Sequence, residues 1–293
     1  PGEGEEALPR LAWAVKRGED CATLPGLLVK TAGEWRRNAA QPLDLATWPA
    51  RRRRFVDNER YLREGGQIGV ETKRGCGGRC IYCADPLAHG TRVRLRSPRA
   101  VAAEMRDLCD DGIEVFHLCD SEFNLPEEHA IAVCEELARS GAAARAQWFT
   151  YAAPQPFSPT LARAMVEAGC RGVNFGVDSG DDSMLERLGR HYRADGIRRM
   201  AAACHEAGLT FMCDLLIGGP GEDVESVRRT IDLMREIVRH CVGAAVGVRV
   251  YPGTPLARLV AAEGLRDGNP NLKGTIAGNG SMLAPLYYLS SAL

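Results

Sequence analysis

From residue 67 onward the apolar positions switch repeatedly between a period of two and a period near 3.6, the marks of strand and helix. Gln67–Thr72 is a β-rich run. Ser97-Pro98 then opens a helix, Ser as N-cap and Pro at the first helical position, with Val101, Met105, Leu108 and Cys109 on one face and Gly112 at its end. Val115–Cys119 reads as a strand, and Pro126 to Ser140 as a helix with Ile131, Cys134 and Leu137 inward and Gly141 beyond it. Gln147–Tyr151 is the next strand, and Ser158-Pro159 repeats the helix start before Leu161, Met165, Ala168 and the stop at Gly169. Gly172–Val177 (strand), Ser183–Leu188 (short helix), Asp195–Ala207 (helix), Thr210–Ile217 (strand), Val224–Arg239 (helix) and Val246–Val250 (strand) complete the series. Strand and crossover helix, repeated about six times at roughly 30-residue spacing, predict an α/β fold with a parallel sheet closed or partly closed by right-handed βαβ units.

The flanks are less regular. The chain opens on Pro1-Gly2-Glu3-Gly4-Glu5, then a helical stretch (Leu8, Leu11, Ala12, Val15), a strand candidate at Leu24–Val29, and a linker from Pro42 to Pro49. Arg51-Arg52-Arg53-Arg54 follows, a basic run that reads as a solvated face or a set of salt-bridge partners, with phosphate contact as the rival. Leu256, Leu259 and Val260 mark a last helix, and Met282–Leu289 is apolar again. The expected organisation is therefore 1–50, 51–257 and 258–293.

Charge narrows the function classes. Lys and Arg number 37 against 38 Asp and Glu in 293 residues, which argues against a nucleic-acid or membrane-surface partner. The 11 cysteines are odd in number, and no signal peptide or bilayer-length apolar run is legible. Reduced thiols in the cytoplasm and a metal site are expected rather than disulfides. Most of Cys21, Cys109, Cys119, Cys134, Cys170, Cys204, Cys213 and Cys241 fall in apolar periodic stretches and read as small core residues.

The remaining three cysteines stand in Gly75-Cys76-Gly77-Gly78-Arg79-Cys80-Ile81-Tyr82-Cys83, spaced C-x3-C-x2-C. The glycines are expected to supply positive φ so that the sulfurs converge. A structural zinc site would want a fourth protein ligand. Three thiolates without an obvious fourth point to a [4Fe–4S] cluster with one iron open, and a zinc knuckle is the alternative.

This spacing, with Tyr82 before the third cysteine, resembles the radical S-adenosylmethionine (SAM) enzymes. The resemblance spans about residues 65–257 and implies a partial (β/α)6, TIM-like barrel. Cys76, Cys80 and Cys83 would hold the [4Fe–4S] cluster, which reduces SAM and releases a 5′-deoxyadenosyl radical. Chemistry in such barrels gathers at the C-terminal strand ends. Tyr82 matches the aromatic lying against adenine. Asp120 and Glu122 match the acidic motif after the second strand, though either also suits the helix start at Pro126. Asp178, Ser179 and Arg190 match the ribose and carboxylate contacts, with Arg187 as a rival cation. Asp214, Ile217, Gly218 and Gly219 match the Gly-rich stretch after the fifth strand, where Asp214 would reach ribose and Ile217 would pack on adenine. A tight strand-to-helix turn, with Glu222 and Asp223 favouring the helix N-terminus, is the plainer reading there. The six histidines show no paired metal spacing and most read as surface or helix residues, and no residue stands out as a general base.

Residues 1–50 resemble the exit from the cobalamin-binding domain of the class B members, whose body would lie before residue 1. The remnant of an N-terminal domain, the barrel and a short C-terminal extension are thus expected. The implied activity is cobalamin-dependent methyl transfer to an unactivated carbon, with SAM, the cluster and, in the full-length protein, cobalamin as cofactors. A small-molecule or peptide substrate and a low-potential donor of flavodoxin or ferredoxin type would be partners. A cobalamin-independent oxidase, cyclase or methylthiotransferase is the second reading, and a non-catalytic metal-stabilised module the third.

Overall fold

The computed structural model describes residues 3–40, 42–47, 53, 55–239 and 241–293. Pro1, Gly2, the Trp48-Pro49 end of the linker, Arg51, Arg52, Arg54 and His240 lie outside them.

Six strands form one parallel sheet: β1 (Ile68–Val70), β2 (Val115–Leu118), β3 (Gln147–Ala152), β4 (Cys170–Asp178), β5 (Phe211–Ile217) and β6 (Cys241–Val246). They neighbour one another in sequence order, β1 and β6 forming the two edges. The crossovers are α1 (Pro98–Asp110), α2 (Glu127–Arg139), α3 (Pro159–Glu167), α4 (Asp182–Arg187) with α5 (Ala194–Ala207), and α6 (Val224–Ile237). This is the partial barrel the periodicity predicts.

Alternation decides which face each residue serves. Val70, Phe116, Leu118, Trp148, Val173, Phe175, Phe211 and Cys213 join Val101, Met105, Leu137, Leu161 and Met200 of the helices in a single core. Trp148 is fully buried and its indole N–H reaches the Ala168 carbonyl at 2.8 Å, so its one polar atom is satisfied. The opposite face carries Gly69, His117, Tyr151, Asn174 and Asp214, the last four exposed or half-buried.

The helix starts follow the sequence with one exception. Ser158 Oγ accepts from the Leu161 N–H at 3.1 Å, and Asp223 and Ser226 cap each other reciprocally. Ser97 occupies the N-cap position of α1 but makes no side-chain cap bond.

The last strand falls earlier than the pattern suggests. β6 is Cys241–Val246, paired in parallel with β5, and Gly247 at φ +90 ends it. Val248–Arg249 leaves the barrel sheet and pairs antiparallel with Leu286–Tyr288, which also pairs with Leu272–Gly274. Val248, Val250, Leu256, Val260, Leu272, Leu286 and Tyr288 make a second, smaller core there. The apolar run 246–250 thus serves two sheets, which its hydrophobicity alone does not reveal.

Before the barrel, Ala7–Arg17 is helical and Leu28–Thr31 pairs with Glu34–Arg37 as a hairpin, a little later than the expected strand. Glu3 ties this segment to the barrel: it accepts from Arg94 at 2.6 and 2.7 Å and from the Leu43 N–H at 2.8 Å. Burial raises the Glu3 carboxyl, but these donors and Arg74 outweigh it and hold the group at about 2, below its ordinary 4.5. A depressed carboxylate stabilises above its unfolded value and loses that contribution as pH falls toward the folded one. Glu3→Gln should therefore cost about 1–2 kcal/mol at pH 7 after allowance for solvent screening. Urea titrations should show the gap to wild type narrowing at pH 3; an equal gap at both pH values would refute the assignment. Among the described residues no helix is long and apolar enough to cross a membrane.

Candidate active site

The cysteine loop follows β1 and is bracketed by a two-residue ladder, Lys73–Arg74 against Arg94–Leu95. Gly75 takes φ +86, and a Cβ there would sit 2.3 Å from the Arg92 carbonyl oxygen. Of the three glycines only Gly75 has positive φ. Gly78 serves by being small, since its Cβ would lie 3.2 Å from Cys76 Sγ and 3.7 Å from Cys80 Sγ. Backbone bonds fasten the loop: Cys76 N–H to Gly90 O at 3.2 Å, Ile81 N–H to Leu188 O at 3.0 Å and Leu256 N–H to Ile81 O at 2.9 Å. Gly189, at φ +78, lets Arg79 pass; a Cβ there would meet its carbonyl oxygen at 2.3 Å. Gly189→Ala should accordingly lower thermal stability and iron uptake together, whereas Gly208→Ala, with φ +70 but no neighbour within 4 Å, should leave iron uptake intact.

Cys76, Cys80 and Cys83 are half-buried and line one cavity of about 690 Å3. Burial pushes all three thiols up, Cys80 to about 11, with Arg190 opposing. Such thiols ionise readily only against a cation such as a metal. Among the described residues no three His, Cys, Asp or Glu side chains are arranged to hold a single metal ion. Three thiols spread along a cavity wall suit a polynuclear group, each on its own iron.

The same cavity is lined by Glu122, Arg190 and Tyr82. Asp178 closes β4 at φ +61, where the β4–β5 register shifts. Its carboxylate accepts from Tyr82 Oη and from Arg190 Nε, each at 2.5 Å, and Arg190 also donates to Tyr82 Oη at 2.8 Å. Arg190 lies over the rings of Tyr82 and Tyr192 and 3.6 Å from Glu122. Burial raises the Tyr82 phenol, and the Asp178 charge adds to it. Burial likewise lifts Glu122 to about 7 although Arg190 pulls the other way. Of the two rival arginines, Arg190 is the one that lines the cavity. Arg187 is exposed and lies against Gly221.

Several of the expected residues make contacts within the chain. Asp120 lines the cavity, but its oxygens accept from Thr72 N (2.7 Å), Thr72 Oγ1 (2.5 Å) and Lys73 N (3.2 Å), with Lys73 Nζ at 3.4 Å, so it clamps β2 to β1. Ser179 is buried against Thr230 Oγ1 at 3.0 Å. Asp214 lies on the inner face beside Asn174 at 3.4 Å, its carboxyl raised by burial, and is not among the cavity's lining residues. Ile217 lines a separate groove with Met234 and Val242. Gly218 and Gly219 admit the chain itself: a Cβ on Gly218 would meet Leu289 at 2.5 Å, and one on Gly219 would meet Leu188 at 3.1 Å. Glu222 is buried and accepts from both glycine N–H groups.

Sequence reasoning missed Lys73, His117, Cys119 and Tyr251, all of which line the cavity. His117 is not a surface or helix residue, and Cys119 is exposed rather than core, as is Cys241. Alternation in β2 carried the signal, because Phe116 and Leu118 take the core side and leave His117 and Cys119 on the inner face.

A partial (β/α)6 barrel with three cysteines in the loop after β1 defines a class, and the chain belongs to the Radical SAM superfamily, whose family model matches residues 70–234. It is 34% identical over 238 residues to the tryptophan 2-C-methyltransferase of Streptomyces laurentii, covering 77% of this chain and 39% of that one. Its structure resembles that of TsrM, a radical SAM methyltransferase from Kitasatospora setae solved with cobalamin and a [4Fe–4S] cluster, at TM-score 0.88 and 30% identity, over 100% of this chain and 65% of that one. The cobalamin-dependent enzyme OxsB shares the fold at TM-score 0.79 and 18% identity, over 99% of this chain and 48% of that one. The chain thus spans less than two thirds of the length of these relatives.

Proposed function

We propose that this chain is the catalytic unit of a cobalamin-dependent radical SAM methyltransferase acting on an aromatic small molecule. Cys76, Cys80 and Cys83 hold a [4Fe–4S] cluster with one iron open. A cluster held there supplies the electron that opens SAM, drawn from an external flavodoxin- or ferredoxin-type donor. Arg190 receives the SAM carboxylate, an anion its planar fork binds in two places. Glu122 takes the ammonium, and Asp178 with Tyr82 holds Arg190 in position. Asp214 belongs to the deeper inner face rather than to the SAM contacts. Residues 1–50 are the exit of a cobalamin-type domain, 51–257 the barrel and 258–293 a C-terminal segment that shapes the substrate side. The reducing cytoplasm suits a chain whose described cysteines are all free thiols.

One observation carries this reading: three thiols and a buried arginine face a single cavity in a fold that matches TsrM over 100% of the chain. TsrM has been solved with tryptophan as substrate together with a SAM analogue, so tryptophan is the first compound to try. The full-length protein, reconstituted with cluster and cobalamin, should transfer labelled methyl from SAM to tryptophan or a related indole. Formation of 5′-deoxyadenosine with no methylated product would favour the oxidase or cyclase reading instead.

A further inference from the structure

The inner face of the sheet carries two rings that the core does not use. His117 on β2 pairs with Phe149, so Tyr151 is its diagonal neighbour on β3. The ring centroids lie 5.3 Å apart at 64°, edge to face, and both rings line the cavity of the cysteines. Tyr151 is 46% exposed although β3 lies in the middle of the sheet. Neither the imidazole nitrogens nor the phenol hydroxyl hydrogen-bonds another described residue. A large ring with an unused polar tip, open inside a barrel, is surface left for a ligand.

Access fits the same role. His117 and Cys119 also line a second hollow of about 600 Å3, with Tyr61, Gly65, Gly66 and Gly69 on its other sides. Gly69 leaves room there for Cys119, since a Cβ on it would lie 2.7 Å from Cys119 Sγ. His117 therefore borders both this hollow and the cavity, whereas Tyr151 borders the cavity.

We propose that His117 and Tyr151 form the substrate's binding face, built for a planar aromatic that carries a ring N–H. This rests on the methyltransferase reading and adds to it the residues that receive the substrate's ring. Tyr151 offers its ring edge or face to the substrate ring. His117 offers an acceptor nitrogen, and burial keeps the imidazole below its ordinary value and hence neutral near pH 7.

The test is calorimetric titration of L-tryptophan and 1-methyl-L-tryptophan into the full-length protein reconstituted with iron and sulfide. Tyr151→Ala should weaken both ligands about tenfold or more. His117→Ala should weaken tryptophan about tenfold yet leave the 1-methyl analogue, which has no ring N–H, little changed; His117→Gln, which keeps an acceptor, should recover part of the loss. Iron content and the reduced cluster's EPR signal should match wild type in all three variants. A normal cluster with tryptophan binding unaltered in Tyr151→Ala and His117→Ala, or a wild type that binds neither ligand, would overturn the inference alone. A wild-type cluster that ignores SAM would overturn the underlying reading and the inference with it.

Discussion

Cys76→Ala, Cys80→Ala and Cys83→Ala should each give a protein that takes up little iron on anaerobic reconstitution and has no activity, while Cys134→Ala loads iron as wild type does. The contrast follows from where the sulfurs lie. The first three share a cavity wall, and a cluster with one open iron has no spare protein ligand to replace a lost thiolate. Cys134 is packed in the core, 1% exposed, and burial pushes its thiol well above the ordinary range. Its truncation removes one sulfur from a packed interior, at a cost of about 1–2 kcal/mol in stability and nothing in metal content. Iron lost equally from Cys134→Ala would show that the ligands are misassigned.

Arg190→Ala carries the second large effect, on stability and ligand binding together. Its side chain is 8% exposed, beside Asp178 at 2.5 Å and Glu122 at 3.6 Å. Removing it leaves one carboxylate buried without its cation and the other with a weakened counter-charge, which costs roughly 3–5 kcal/mol when a buried pair is broken on one side. Denaturant titration should register that loss, and equilibrium binding should show SAM affinity falling at least about tenfold for a lost charge-assisted contact. Arg187→Ala, at an exposed position, should change stability by no more than about 0.5 kcal/mol. If Arg187→Ala instead abolishes SAM binding, the cation has been wrongly chosen.

The sequence carried the fold well because the crossovers share a small set of signals. An apolar face recurs on helix after helix, Ser-Pro opens α1 and α3, and a glycine follows α1 to α5, so a parallel sheet follows from their order. It was less informative where one apolar run feeds two sheets, as at 246–250, since periodicity does not record a partner. The three cysteines were legible because few other roles suit glycine-flanked thiols so close together. Other site residues were harder. A polar residue at a strand end can turn toward a ligand or toward its own chain, and Asp120, Ser179 and Glu222 turn toward the chain. Their partners, Thr72, Thr230 and the glycine N–H groups of 218 and 219, meet them only after folding. Glycine was ambiguous in the same way. Gly218 and Gly219 do permit close approach, but Leu289 and Leu188 are what approach. His117 and Cys119 could have been found by extending the alternation of β2 one step beyond its buried positions.

The most direct test of the central claim is low-temperature EPR of the anaerobically reconstituted, dithionite-reduced protein, recorded with and without SAM alongside its iron and zinc content. A [4Fe–4S]+ signal from a protein carrying about four irons, altered when SAM is added, is the predicted result. Stoichiometric zinc, or a cluster whose signal SAM leaves untouched, would contradict it.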